Sequence, residues 1–82
     1  MGDMTKDLEK DEDFVLKAIA EHKDISLLAE NLSRYFSKYK ELGEIKVEFD
    51  EMNRDWKIKT KKREKRVEYP EGIAKAVMEL RK

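Results

Sequence analysis

The densest concentration of chemically active side chains is the stretch from Lys57 to Arg66. Lys57, Lys59, Lys61, Lys62, Arg63, Lys65 and Arg66 place seven bases against one acid, Glu64. Trp56 and Tyr69 flank the run. Cations beside aromatic rings are how phosphate contacts and base stacking are commonly supplied, so this stretch is the candidate nucleic-acid or anion-binding segment. The competing reading is a solvated strand face, since Lys57, Lys59 and Lys61 alternate with Trp56, Ile58 and Thr60, and lysines on a strand also discourage edge pairing.

Other constellations fall short. Asp7, Glu9, Asp11 and Asp13 are spaced by two, as in a calcium loop, but that loop needs Gly at its sixth position and Glu at its twelfth. Here those positions are Glu12 and Ala18. His22 is the single histidine, and Glu21 and Asp24 beside it are ordinary neighbours at a charged helix end. Gly2, Gly43 and Gly72 are the only glycines, so there is no Gly-rich phosphate loop and no Gly-x-Ser-x-Gly nucleophile turn. There is no cysteine, hence no disulfide and no thiolate ligand. No catalytic residue, cofactor or metal is expected.

Composition bounds the class. Eighty-two residues are expected to make one domain. Charged residues are 46% of the chain, against about a quarter in ordinary globular proteins, yet they balance to zero. A globally basic protein is thereby excluded, and any nucleic-acid contact must be local. Seven aromatics at regular positions argue for a folded domain with a thin core rather than disorder. The absence of glutamine and the presence of only two asparagines match hyperthermophile proteins and idealised designs alike. The opening residues carry no signal-peptide pattern, and no apolar run reaches the ~20 residues of a membrane helix. A cytoplasmic protein with no membrane partner is expected.

The elements that must position the basic stretch follow from periodicity. Val15 and Ile19, with Leu8, Phe14 and Ala18 beside them, suit a helix over 5–22 or only 11–22. On the shorter span residues 1–10 are a disordered acidic leader. Asp24 caps a second helix, in which Ile25, Leu28, Leu32, Tyr35, Tyr39 and Leu42 recur at steps of three and four, with Phe36 widening the stripe. Gly43 is suited to end it.

The period then changes to two. Ile45, Val47 and Phe49 alternate with charged residues, Glu51–Arg54 can turn with Asn53 at positive φ, and Trp56 and Ile58 continue in a second strand. A second turn is expected within 61–66, although no Gly, Asn or Pro there fixes it, and Val67 and Tyr69 form a short third strand. Pro70 and Glu71 start a last helix carrying Ile73, Val77 and Leu80 on its apolar face. The predicted fold is α+β in the order ααβββα: a three-stranded antiparallel meander with a long central helix on one face. Its predicted core is Val15, Ile19, Ile25, Leu28, Leu32, Tyr35, Leu42, Ile45, Val47, Phe49, Trp56, Ile58, Val67, Ile73, Val77 and Leu80.

Two nucleic-acid-binding element orders bear comparison. From the second helix onward, αβββα is the order of double-stranded-RNA-binding domains, whose last helix begins Lys-Lys-x-Ala-Lys; here it begins Tyr69-Pro70-Glu71-Gly72. A winged helix needs three helices before its wing, and two are clear. Its DNA-facing positions would be Glu30, Asn31, Arg34, Lys38 and Glu41, two of them acids. Neither resemblance identifies a family. The stripe from Ile25 to Leu42 spans under three heptads and is better matched to the chain's own sheet than to a second copy, so a monomer is favoured over a homodimer. The functional expectation is a small non-enzymatic module that contacts nucleic acid or another polyanion through its basic strand and turn. The alternative is a protein-interaction domain, or an engineered scaffold without biochemical activity.

Overall fold

The computed structural model describes residues 4–81; residues 1–3 of the acidic leader lie outside the described residues. Helix α1 spans Met4–Glu21, the longer of the two spans that the periodicity allows. Helix α2 follows at Ile25–Phe36, then a single 3-10 turn at Lys40–Leu42. Strands β1 (Lys46–Asp50), β2 (Asp55–Lys59) and β3 (Glu64–Val67) come next, and a 3-10 turn at Pro70–Gly72 leads into helix α3 (Ile73–Arg81). The sheet is a meander, β1-β2-β3, antiparallel throughout. The α+β class and the ααβββα order are those predicted.

Alternation sorts the sheet into two faces. Val47, Phe49, Trp56, Ile58, Lys65 and Val67 point to the helices, while Glu48, Lys57 and Arg66 form a charged cross-strand row on the open face. α2 packs on β1, α3 packs on β2 and β3, and α1 lies across both helices. Leu32, Phe36, Ile58, Ile73, Val15 and Val77 are the largest wholly enclosed side chains. Removing any of them to Ala would cost about 2–5 kcal/mol.

Asp24 caps α2 as expected, its carboxylate accepting from the Ser26 amide at 2.8 Å. The helix does not run to Gly43. After Phe36 the bonds shorten from i−4 to i−3, with Lys38 N–H donating to the Tyr35 carbonyl and Tyr39 N–H to that of Phe36. Tyr39 then leaves helical geometry at φ −85°, ψ 86°, and Gly43, at φ 68°, closes the 3-10 turn instead. α1, at 18 residues, is thus the longest helix, and α2 has 12.

Most of the predicted core is enclosed or packed against the core. The exception is Ile25, 48% exposed, in the first turn of α2, where it lines an open hollow beside β1. Phe36 and Tyr39 take the central place instead. The first hairpin is fixed by Asp50, whose carboxylate accepts from the amides of Met52 and Asn53 and from the Asn53 side chain. Arg54, not Asn53, takes the positive φ, at 54°. The amide of Asn53, then Arg66, hold Asp50 below the usual carboxylate range.

Candidate polyanion surface

The second hairpin turn exists without Gly, Asn or Pro because a hydroxyl closes it. Thr60 N–H donates to the Arg63 carbonyl at 2.8 Å, and Arg63 N–H donates to Thr60 Oγ1 at 3.0 Å. Thr60 is itself buried, so the turn is anchored to the body of the protein and Lys61 and Lys62 stand exposed at its tip.

The structure divides the seven predicted cations. Lys57 pairs with Glu48 at 3.3 Å. Arg66 bridges Asp50 at 3.1 Å and Asp55 at 2.9 Å, two acids that the register sets opposite each other. Lys65, on the helix side of β3, pairs with Glu79 of α3. Lys57 and Arg66 are thus occupied within the sheet, and Lys65 in joining β3 to α3. Arg63 leans toward the Glu79 carbonyl at 3.5 Å. Lys59, Lys61 and Lys62 have no acidic partner among the described residues, and all three are exposed.

Chain folding adds cations that the run did not include. A shallow hollow of about 330 Å³ separates the turn from the 40–43 loop, rimmed by Lys40, Lys61, Lys62 and Arg63. On the other side a hollow of about 250 Å³ lies between Lys46, Lys59 and Lys61, with Glu44 as the one acid in its lining. The turn is therefore a basic ridge between two open depressions. Glu41, the nearest acid on the first side, is drawn away by Arg81 at 3.0 Å; its own backbone amide, then Arg81, hold its carboxyl below the ordinary range. Lys40 and Lys46 were missed because their link to the turn is tertiary, across more than ten residues of intervening chain.

The aromatics are not where stacking would need them. Trp56 is 3% exposed and meets Phe49 edge-on at 5.4 Å. Tyr69 is exposed, but follows β3 at the end opposite the turn. The ridge offers charge without a stacking platform.

A second cluster of ionisable groups is enclosed rather than open. Asp11, the one buried charged side chain among the described residues, accepts from the Tyr35 hydroxyl at 2.7 Å, from Lys38 Nζ at 2.9 Å and from the Tyr39 hydroxyl. Lys38 Nζ also lies 4.0 Å from the centre of the Tyr35 ring, and Tyr35 stacks on Phe14 at 3.8 Å. Arg81 covers the Tyr39 ring at 4.0 Å while pairing with Asp7 and Glu41. Burial, then the hydrogen bond to Asp11 and its charge, push Tyr39 up to about 12. Lys38 is shifted upward as well: burial opposes its charge, but its bonds to Tyr35 and Asp11 and the Asp11 charge outweigh that. Every buried side-chain polar atom among the described residues has a partner, so this cluster is a fastening between α1, α2 and α3. Its signal in the sequence was a carboxylate on the apolar stripe Leu8, Asp11, Val15, Ala18.

Asp7, Glu9, Asp11 and Asp13 sit on α1, where a spacing of two sends Asp7 and Asp11 to one face and Glu9 and Asp13 to the opposite one. His22 accepts from the Asn31 amide at Nε2, 2.7 Å away, and so clasps α1 to α2. No group of three His, Cys, Asp or Glu among the described residues is placed to hold a metal ion, and no helix there is long and apolar enough to cross a membrane. Compared with known proteins, the chain matches no family model, no curated protein and no solved structure.

Proposed function

We propose that this chain is a non-enzymatic binding module that contacts nucleic acid or another polyanion through the ridge at the β2–β3 turn. The observation that carries this reading is that Lys59, at the end of β2, and Lys61 and Lys62, on the anchored turn, are exposed and have no acidic partner among the described residues, with Arg63 beside them and Lys40 facing the turn across a hollow. Contact is with phosphate or sulfate groups and not with bases, because no exposed ring accompanies the cations. The shallow relief suits the backbone of an extended polymer better than an enclosed small ligand. The module acts as a monomer on this reading, since Leu28, Leu32 and Phe36 of the apolar stripe are buried in the chain's own core.

Fluorescence anisotropy with labelled single-stranded DNA, duplex DNA and heparin tests the proposal. For four or five phosphate contacts the slope of log affinity against log salt is about −3 to −4, a loss of roughly a hundredfold between ~50 and ~200 mM salt. The triple variant Lys59→Glu, Lys61→Glu, Lys62→Glu is expected to abolish binding with an unchanged melting temperature. No binding at low salt, or wild-type affinity in the triple variant, overturns the reading.

A further inference from the structure

β1 is an edge strand, and its free edge is only partly closed. Ser33 of α2 closes one position: its hydroxyl accepts from Val47 N–H at 2.8 Å and shares its one proton between the carbonyls of Ala29 at 2.9 Å and Val47 at 3.1 Å. Val47 therefore turns its backbone groups away from β2. In an antiparallel pair that orientation repeats every second residue, so Phe49 presents its N–H and C=O to the same side. Among the described residues no side chain hydrogen-bonds that second pair.

A hollow of about 800 Å³ lies there, between the first turns of α2 and the free edge of β1. Its apolar lining includes Ile25, Ala29 and Phe49, and Ile25 is the predicted core residue that the fold leaves half exposed. Asp24, Glu30, Glu48 and Glu51 surround it against Lys23 and Lys46. Glu30 pairs with Arg34 at 3.4 Å, and Glu48 lies 3.3 Å from Lys57 and 3.7 Å from Lys46, whereas Asp24 and Glu51 have no cation within ion-pair distance among the described residues. Two open carboxylates, Asp24 and Glu51, thus flank the hollow against Lys23, with an apolar depression and the outward backbone groups of Phe49 beside them.

We propose that this groove receives a short extended segment of a partner protein: an apolar side chain, flanked by Lys or Arg, added as a strand to β1 at Phe49. The backbone of the segment exchanges two hydrogen bonds with Phe49, its apolar side chain enters beside Ile25 and Ala29, and its cations meet Asp24 and Glu51. Ser33 ends the ladder at Val47, so the segment is short and its binding reversible. The acidic surroundings reject a polyanion, which makes this site independent of the Lys59–Lys62 ridge.

The test uses the full chain, isotope-labelled, titrated with the peptide Lys-Arg-Val-Ile-Lys-Arg and with its charge-reversed counterpart Glu-Asp-Val-Ile-Glu-Asp. Saturable amide shifts at Ile25, Ala29, Phe49 and Glu51 are expected with the basic peptide, at about tenfold lower concentration than with the acidic one. Methylating the backbone nitrogen of the central Ile should abolish them. Ala29→Arg fills the depression and should block binding. Glu51→Lys, in an exposed turn, should weaken the basic peptide about tenfold without disturbing the fold. Shifts confined to the open sheet face, no preference between the peptides, or no saturation overturn the proposal. So does concentration-dependent shifting of the same amides without peptide, which would assign the groove to a second copy.

Discussion

At Tyr39 the phenol, Asp11 and Lys38 form one protonic unit, and its response to pH has a definite sign. Tyr39 is raised to about 12 in the folded chain and lies near 10 when unfolded. Below pH 10 both states keep the proton, and the stabilisation is complete. As pH rises from 10 to 12 the unfolded chain releases it first, so stability falls. Tyr35 and Lys38, also shifted upward, add loss in the same direction. Urea midpoints should therefore hold to about pH 10 and then decline steeply. Tyr39→Phe should cost about 1–2 kcal/mol at pH 8 and soften that decline, because the remaining phenol, Tyr35, still contributes.

Ser33 illustrates how a side chain completes an element. Ser33→Ala leaves the N–H and C=O of the buried Val47 unmet, a loss of about 1–3 kcal/mol in urea unfolding. The opened edge of β1 should also promote association, visible in sedimentation as concentration-dependent growth. Elements of this kind were legible where apolar spacing decides them. β1, β2, α1, the start of α2 at Asp24 and the entry to α3 at Pro70 all follow from period and capping. β3, by contrast, runs Glu64–Val67 and not over Val67 and Tyr69, because the Thr60–Arg63 closure turns the chain earlier than apolar spacing shows. The end of α2 was not legible, since Gly43 advertised a stop that a tightened turn at Lys38 and Tyr39 reaches earlier. Nor was the exposure of Ile25 legible, since it sits at an apolar position of a good helix just as the correctly expected core residue Trp56 sits in a good strand. For the candidate ridge, sequence showed the cations but not their partners. Glu48, Asp50, Asp55 and Glu79 claim three of the seven only once the register and α3 are in place.

Across the whole molecule, the ends of the chain are tied by Arg81. Its guanidinium joins α3 to Asp7 of α1 at 3.3 Å and to Glu41 at 3.0 Å, and lies over Tyr39. The two acids are partly exposed, so each pair contributes little alone; with the ring contact the site is worth about 1–2 kcal/mol. Arg81→Ala should lower the melting temperature by roughly 4–8 °C per kcal/mol lost in a domain of this size. High salt should reproduce part of that change, because it screens the two carboxylate contacts and leaves the ring contact in place. The same balance runs through the sheet, where Arg66 reconciles Asp50 with Asp55.

The hydroxyl closure of the β2–β3 turn separates folding from the identity of the tip. Thr60 and Arg63 supply the bonds that reverse the chain, and Thr60 is held from below, so no backbone requirement falls on Lys61 or Lys62. Both positions can be exchanged or lengthened with little effect on the register of the strands. The tip is accordingly the natural site for grafting a new loop, and the place where this chain can diverge in recognition while its scaffold stays constant.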